Sequence, residues 1–187
     1  MKFKDLLKLL AYYIVLFIAG SFIYVLSIRF GVFDRIPVFF YRGIVAIVVS
    51  GIIISGVFWA VRRKKMKKII TVRDVILLFC LFCCVHVVIF THLPVTADRS
   101  VSVFMLGYMN EKNGLCTKEE LEDVFVDKYV IEYEAFDKRL FEQIYTGTIE
   151  EDKEGGGFSL TDSGRRIIRI YDVVADWFRI DKKLISP

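Results

Sequence analysis

The sequence predicts an α-helical membrane protein with three transmembrane helices and a small α+β C-terminal domain. Three observations predict it. The 187 residues are 55% hydrophobic, too apolar for an ordinary soluble domain. The apolar residues gather into three runs long enough to cross a bilayer. Charge is segregated: residues 1–96 hold 13 Lys and Arg against 3 Asp and Glu, whereas residues 97–187 hold 13 against 19. A basic membrane half (1–96) and an acidic tail (97–187) are two different physical objects, and the tail is long enough for one small core.

The run 9–28 follows a basic head containing Lys2, Lys4 and Lys8. A secretory signal opens the same way, but its apolar core is shorter, and here the pattern continues past Ala19-Gly20-Ser21. The run reads as an uncleaved span. Arg29 to Arg42 is a short loop, rich in interface-seeking aromatics around Pro37. The second span covers 43–61. Its small residues at four-residue spacing, Ala46/Ser50 and Gly51/Ser55, let helix backbones approach closely in lipid.

Arg62, Arg63, Lys64, Lys65, Lys67 and Lys68, extended by Arg73, form a block that must stay in water at the membrane surface. Its plain reading is a topology signal; its functional reading is attraction to anionic lipids, worth about 1 kcal/mol per basic residue. The third span covers 75–93. Basic loops stay in the cytoplasm, so the head and the block are expected inside and the first loop outside. That puts the N-terminus in the cytoplasm and the tail outside it, in a bacterial-type inner membrane.

His86 lies within the third span. An intramembrane histidine is a candidate proton or ligand group, but no Asp or Glu lies within a span to pair with it, and helix-to-helix hydrogen bonding is the plainer expectation. His92, Asp98 and Arg99 follow at the membrane surface, where they could meet a headgroup or partner; Thr96 or Asp98 is expected to cap the next helix. Cys80-Leu-Phe-Cys83 has redox-motif spacing, yet with Cys84 it sits in an apolar run, and the three read as small buried apolar residues.

In the tail, Val101, Phe104, Met105 and Tyr108 mark a first helical stripe. Thr117-Lys-Glu-Glu120 matches a capping box, with Leu121, Val124, Phe125 and Tyr129 as the apolar face of the helix it starts. A third helix is expected over 134–145 with Phe136, Leu140, Phe141 and Ile144 inward. Short strands at 147–151 and 158–160 flank a charged, glycine-rich hairpin tip. The tip lacks a GK[ST] ending, and its acidic neighbours repel phosphate. Thr161-Asp-Ser-Gly164 opens a last helix, with Ile167, Ile170, Tyr171, Val174, Trp177 and Phe178 expected to be buried.

This order, with Arg139-Leu-Phe-Glu-Gln-Ile144, the glycine turn and Phe158-Ser-Leu-Thr-Asp-Ser-Gly-Arg165, resembles the winged-helix domains of MarR-like and PadR-like regulators over roughly residues 100–180. The resemblance implies DNA binding through the third helix and the wing. Here that helix mixes Lys138 and Arg139 with Glu134, Asp137 and Glu142, and the wing is acidic, so the basic footprint that neutralises phosphates is missing.

The only histidines are His86 and His92, which excludes a Ser/His/Asp arrangement within the tail. No metal-ligand or nucleotide motif appears, and neither a cofactor nor catalytic residues are expected. The functional expectation is a non-catalytic accessory or scaffold protein that contacts another membrane protein. Its rivals are a membrane-tethered transcription regulator and a membrane-surface enzyme.

Overall fold

The computed structural model describes residues 3–152, 156–181, 183 and 185, and the backbone alone of Lys65. It is mostly helical, with one two-stranded sheet. Contacts divide the chain into two compact units, residues 1–103 and 104–187.

The first unit is built on α1 (Phe3–Arg29), α2 (Phe39–Val61) and α3 (Val72–His92). Among the described residues, three helical stretches are long and apolar enough to cross a membrane: Phe3–Arg29, Phe39–Lys64 and Val72–Arg99, with mean hydropathies of 2.3, 2.6 and 2.6. They overrun the expected spans because helices also take up the polar flanks. Lys4 and Lys8 of the basic head lie in α1, and α2 runs on into wide π-type turns over Arg62–Met66.

The core lies around α2, whose Ala46, Ile47, Ser50, Ile54 and Phe58 are buried against Leu16 and Tyr24 of α1 and Leu78, Phe82 and Phe90 of α3. Small residues permit this closeness. A side chain at Gly43 would enter the Phe90 ring, and one at Gly51 would come within 3.2 Å of Phe79 and Cys83. Ala46, Ser50 and Gly51 thus pack within this chain, whereas Gly56 faces open space. Outward faces remain apolar, with Ile14, Ile18 and Phe22 on α1 and Ile76, Leu81 and Val88 on α3 exposed, as lipid contact demands. Cys80 and Cys84 belong to this outward surface and are not buried as expected; Cys83 is half-buried. The difference is one of face: at 100° per residue, an apolar helix such as α3 has both a packed and an outward side.

Two turns close the bundle. Between α1 and α2, Asp34 pairs with Arg42 at 2.5 Å. Between α2 and α3, Ile70 is fully buried while Arg62 donates from Nε to its carbonyl (3.1 Å) and covers the Trp59 ring. Thr71 and Asp74 form a reciprocal capping box at the start of α3, and the Tyr13 hydroxyl of α1 donates to the Asp74 carbonyl (2.6 Å).

After α3, Pro94 occupies the first turn of a short α4 (Pro94–Arg99), where its missing N–H costs nothing. Thr96 and Asp98 lie inside α4. The cap of α5 (Val101–Lys112) is Ser100, whose Oγ accepts from Val103 N (3.2 Å), in place of the expected Thr96 or Asp98.

The second unit continues through α6 (Lys118–Val124), wide turns over Phe125–Glu132, α7 (Ala135–Tyr145), β1 (Ile149–Glu151), β2 (Phe158–Leu160) and α8 (Asp162–Phe178). The strands pair antiparallel, Ile149 opposite Leu160 and Glu151 opposite Phe158; the expected hairpin tip falls partly outside the described residues. Thr161 ties sheet to helix. Its Oγ1 accepts from Gly164 N (3.1 Å) and donates to the Gly147 carbonyl (2.7 Å). Gly164 lies against the Thr148 carbonyl, where any side chain would collide.

The apolar faces of α7 and α8 are a correction to the sequence expectation. Phe136 and Phe141 are exposed on α7, where the buried residue is Glu142, ion-paired to Arg139 at 2.6 Å. On α8 the buried positions are Gly164 and Ala175, whereas Ile167, Ile170, Tyr171, Trp177 and Phe178 are exposed and Val174 is half-buried. Periodicity identifies an apolar stripe but not what covers it. Here only the small-residue edge of the α8 stripe packs on its own unit.

Candidate functional site

His86 is the most enclosed of the polar candidates, at 5% exposure. Its Nδ1 lies 2.9 Å from the Phe82 carbonyl, one turn back on α3, and its Nε2 lies 2.9 Å from Ser21 Oγ on α1. Ser21 Oγ also lies within donating distance, 2.9 Å, of the Phe17 carbonyl. The ring stacks on Phe82 at 4.0 Å between centroids, with Phe17 and Tyr24 at 5.1 and 5.6 Å.

The chemistry follows from what each atom can offer. A carbonyl only accepts, so Nδ1 carries a hydrogen. In the neutral ring Nε2 then accepts, and the Ser21 hydroxyl turns to donate to it. In the cationic ring Nε2 donates to Ser21 Oγ, and the hydroxyl turns to donate to the Phe17 carbonyl. One set of heavy-atom positions serves both protonation states. No Asp or Glu lies within the apolar stretches of α1, α2 and α3; Asp5 and Asp74 sit in the first turns of α1 and α3, and Asp34 in the loop between α1 and α2. The arrangement ties α1 to α3 through a buried polar contact. Ser21 is the residue that sequence reasoning missed; the available signal was a hydroxyl inside an otherwise apolar span.

The remaining candidates do not gather round His86. His92 is exposed at the end of α3, its Nδ1 2.9 Å from the Val88 carbonyl and 3.2 Å from the Thr91 hydroxyl, both local contacts. Asp98 and Arg99 occupy the last turn of α4, Asp98 half-buried and Arg99 exposed.

The basic block forms a surface of its own. Arg63, Lys64, Lys67 and Lys68 line a shallow cleft of about 390 Å³ with Met66 and Ile69. Arg62 is engaged by Ile70 and Trp59, and Arg63 also stands over the Trp59 ring at 5.9 Å. Arg73 lies beyond it, with Asp74 and Leu9 on a larger apolar cleft of about 620 Å³. The side chain of Lys65 falls outside the described residues. Among the described residues, no three His, Cys, Asp or Glu side chains gather where they could hold a metal ion.

In the second unit, Glu120 accepts from the Tyr108 hydroxyl (2.8 Å) and from Lys112 Nζ (2.5 Å), joining α6 to α5. Those hydrogen bonds, Lys112 first, hold the Glu120 carboxyl below the usual carboxylate range and, reciprocally, raise Lys112.

These features define a class by architecture alone: a chain with three helices fit to cross a membrane, carrying a small helical unit with one hairpin. No family model matches the chain, and neither the curated proteins nor the solved structures offer a significant match.

Proposed function

We propose that this protein is an integral, multi-pass membrane accessory protein that joins other proteins through its C-terminal unit and does no chemistry of its own. The observation that carries the reading is the exposed apolar face of α8, from Ile170 and Tyr171 to Trp177 and Phe178. Exposed aromatic patches of this kind mark contact surfaces. The apolar outer faces of α1, α2 and α3 meet lipid or a partner's spans, and the basic block holds the loop at an anionic leaflet.

In this reading the C-terminal unit is a winged-helix scaffold reused for protein contact. Its support is the run of helices, hairpin and final helix, with Thr161 and Gly164 at the junction. The counts of basic residues favour a bacterial inner membrane, an N-terminus in the cytoplasm and a C-terminal unit outside it. Purification of the full-length protein from its own membranes, with and without Trp177→Asp, tests the reading. A stoichiometric protein that is present with the wild type and lost with the variant supports it; binding unchanged by the substitution overturns it.

The same order of elements favours a second reading, a membrane-tethered transcription regulator. It requires a cytoplasmic tail and salt-dependent DNA binding. The paired strands weigh against it, because Glu150 and Glu151 form the first of them.

A further inference from the structure

Two clefts meet at the end of the first unit where α2 gives way to α3. One is basic: Arg63, Lys64, Lys67 and Lys68 line about 390 Å³ of it with Met66 and Ile69. The other is apolar, about 620 Å³ between Leu9 of α1 and Ile76, Leu77 and Cys80 of α3, with Arg73 and Asp74 at its polar end. Ile69 lines both, so the two adjoin. Each has the volume of a small-molecule site, about 300–1,000 Å³.

The charge of the basic cleft is uncompensated. No Asp or Glu lies in the chain between Asp34 and Asp74. Asp34 is held by Arg42 in the loop between α1 and α2. Asp74 accepts from Thr71 N and Oγ1 at 2.6 and 2.8 Å, as part of the cap of its own helix. Among the described residues, none of the four cations has a carboxylate partner. Like charges on so short a loop repel one another, and an anion among them relieves the repulsion. Arg63 offers a fork of donors that matches a phosphate, and the lysines add point charge.

The apolar cleft says what the anion is attached to. Arg73, Ile76, Leu77 and Cys80 stand at i, i+3, i+4 and i+7, so one face of α3 carries all four. Arg73 and Cys80 are about 10 Å apart along the helix axis. The face therefore passes from cation to hydrocarbon, as a phospholipid does. Trp59 marks the level of the basic cleft. Arg62 and Arg63 stand over its ring at 4.8 and 5.9 Å, and tryptophan settles where membrane meets water. A nucleic acid or an acidic peptide would leave the apolar cleft unused.

We propose that the two clefts together hold one anionic phospholipid per chain, with its phosphate among Arg63, Lys64, Lys67 and Lys68 and an acyl chain against Leu9, Ile76, Leu77 and Cys80. This rests on reading the first unit as membrane-embedded with the basic block at an anionic leaflet. It makes that contact a site with a stoichiometry, where the earlier reading has only a loop drawn to a charged surface.

The test uses the full-length protein in non-ionic detergent. It is titrated with phosphatidylglycerol and, separately, with phosphatidylcholine of the same acyl chains, and followed by native mass spectrometry. One phosphatidylglycerol per chain is expected to be retained, roughly tenfold more tightly than phosphatidylcholine. Lys64→Gln, Lys67→Gln and Lys68→Gln together are expected to remove that preference. Leu77→Trp and Cys80→Trp fill the apolar cleft at exposed positions and leave every topology-setting charge in place. Each is expected to weaken phosphatidylglycerol severalfold with helical content retained. Equal retention of the two lipids overturns the proposal. Binding that ignores both Trp substitutions also overturns it, because it would be attraction to the loop alone. Displacement of the lipid by an equal concentration of glycerol phosphate overturns it too, and assigns the basic cleft to a free phosphate. Alkaline carbonate extraction of native membranes separates this proposal from the reading beneath it. A chain that stays with the membrane but shows no lipid preference overturns the site alone; a chain that comes off overturns both.

Discussion

Ser21 and His86 show how much one polar contact can contribute inside an apolar bundle. Each supplies the other's partner at 2.9 Å; Nδ1 of His86 donates to the Phe82 carbonyl, and the single hydroxyl hydrogen of Ser21 goes either to Nε2 or to the Phe17 carbonyl. Such contacts across membrane helices average about 0.6 and reach about 1.7 kcal/mol. Ser21→Ala is therefore expected to cost between those values in an unfolding titration, because it strands the Nε2 of His86. His86→Phe removes both polar demands at similar volume and is expected to be close to neutral. A larger loss in His86→Phe than in Ser21→Ala would show that the ring does more than join helices. Gly43 makes a steric point of the same size. Gly43→Ala pushes a methyl into the Phe90 ring and is expected to destabilise by about 1–3 kcal/mol. Gly56→Ala, which meets nothing within 4 Å, serves as the control and stays within about 0.5 kcal/mol.

Elements were legible where a local rule set them and obscure where burial did. Thr117 and Thr161 announce helix starts because a hydroxyl three residues ahead of a backbone N–H is a local device, and both accept the expected bond. Thr161→Ala is expected to cost about 0.5–2 kcal/mol and to fray the first turn of α8, read as faster amide exchange at Gly164 and Arg165. The Lys112–Glu120 tie between α5 and α6 is a tertiary fact that no spacing rule revealed. Its sign with pH is fixed. The lowered Glu120 contributes above the ordinary carboxylate value of 4.5 and is lost as pH falls through its folded value. The raised Lys112 contributes below 10.5 and is lost as pH rises through its folded value. The pairing of α5 with α6 is thus fully present between those limits, and the side-chain carbonyl resonance of Glu120 is expected to titrate below 4.5. A midpoint at or above 4.5 would mean that the contact is absent in solution. The outward faces of α7 and α8 escaped sequence reasoning for a different reason. Apolar periodicity says that a stripe exists, and Phe136, Trp177 and Phe178 satisfy it while standing in the open.

At the scale of the whole molecule, three helices fit to cross a membrane were legible because hydrocarbon imposes a length and an apolarity that few other settings require. The side proposed for the C-terminal unit rests on no contact within either unit; it rests on charge and the number of crossings. Three basic residues precede the first span, three lie in the first loop, and seven lie in and beside the block after α2. The excess after α2 is what supports that proposal, under the rule that short basic loops stay inside. With that loop inside and α3 crossing once, Cys116 is expected outside. It is half-buried and forms no disulfide, so a small impermeant thiol reagent can report on it. In a variant without Cys80, Cys83 and Cys84, labelling in intact cells is expected to match labelling after permeabilisation. Labelling only after permeabilisation would put the unit in the cytoplasm, make α3 a segment that does not cross, and turn attention to DNA binding by the tail. Protection in both conditions would mean that Cys116 is covered, and Leu115, at 97% exposure, then becomes the position for a replacement cysteine.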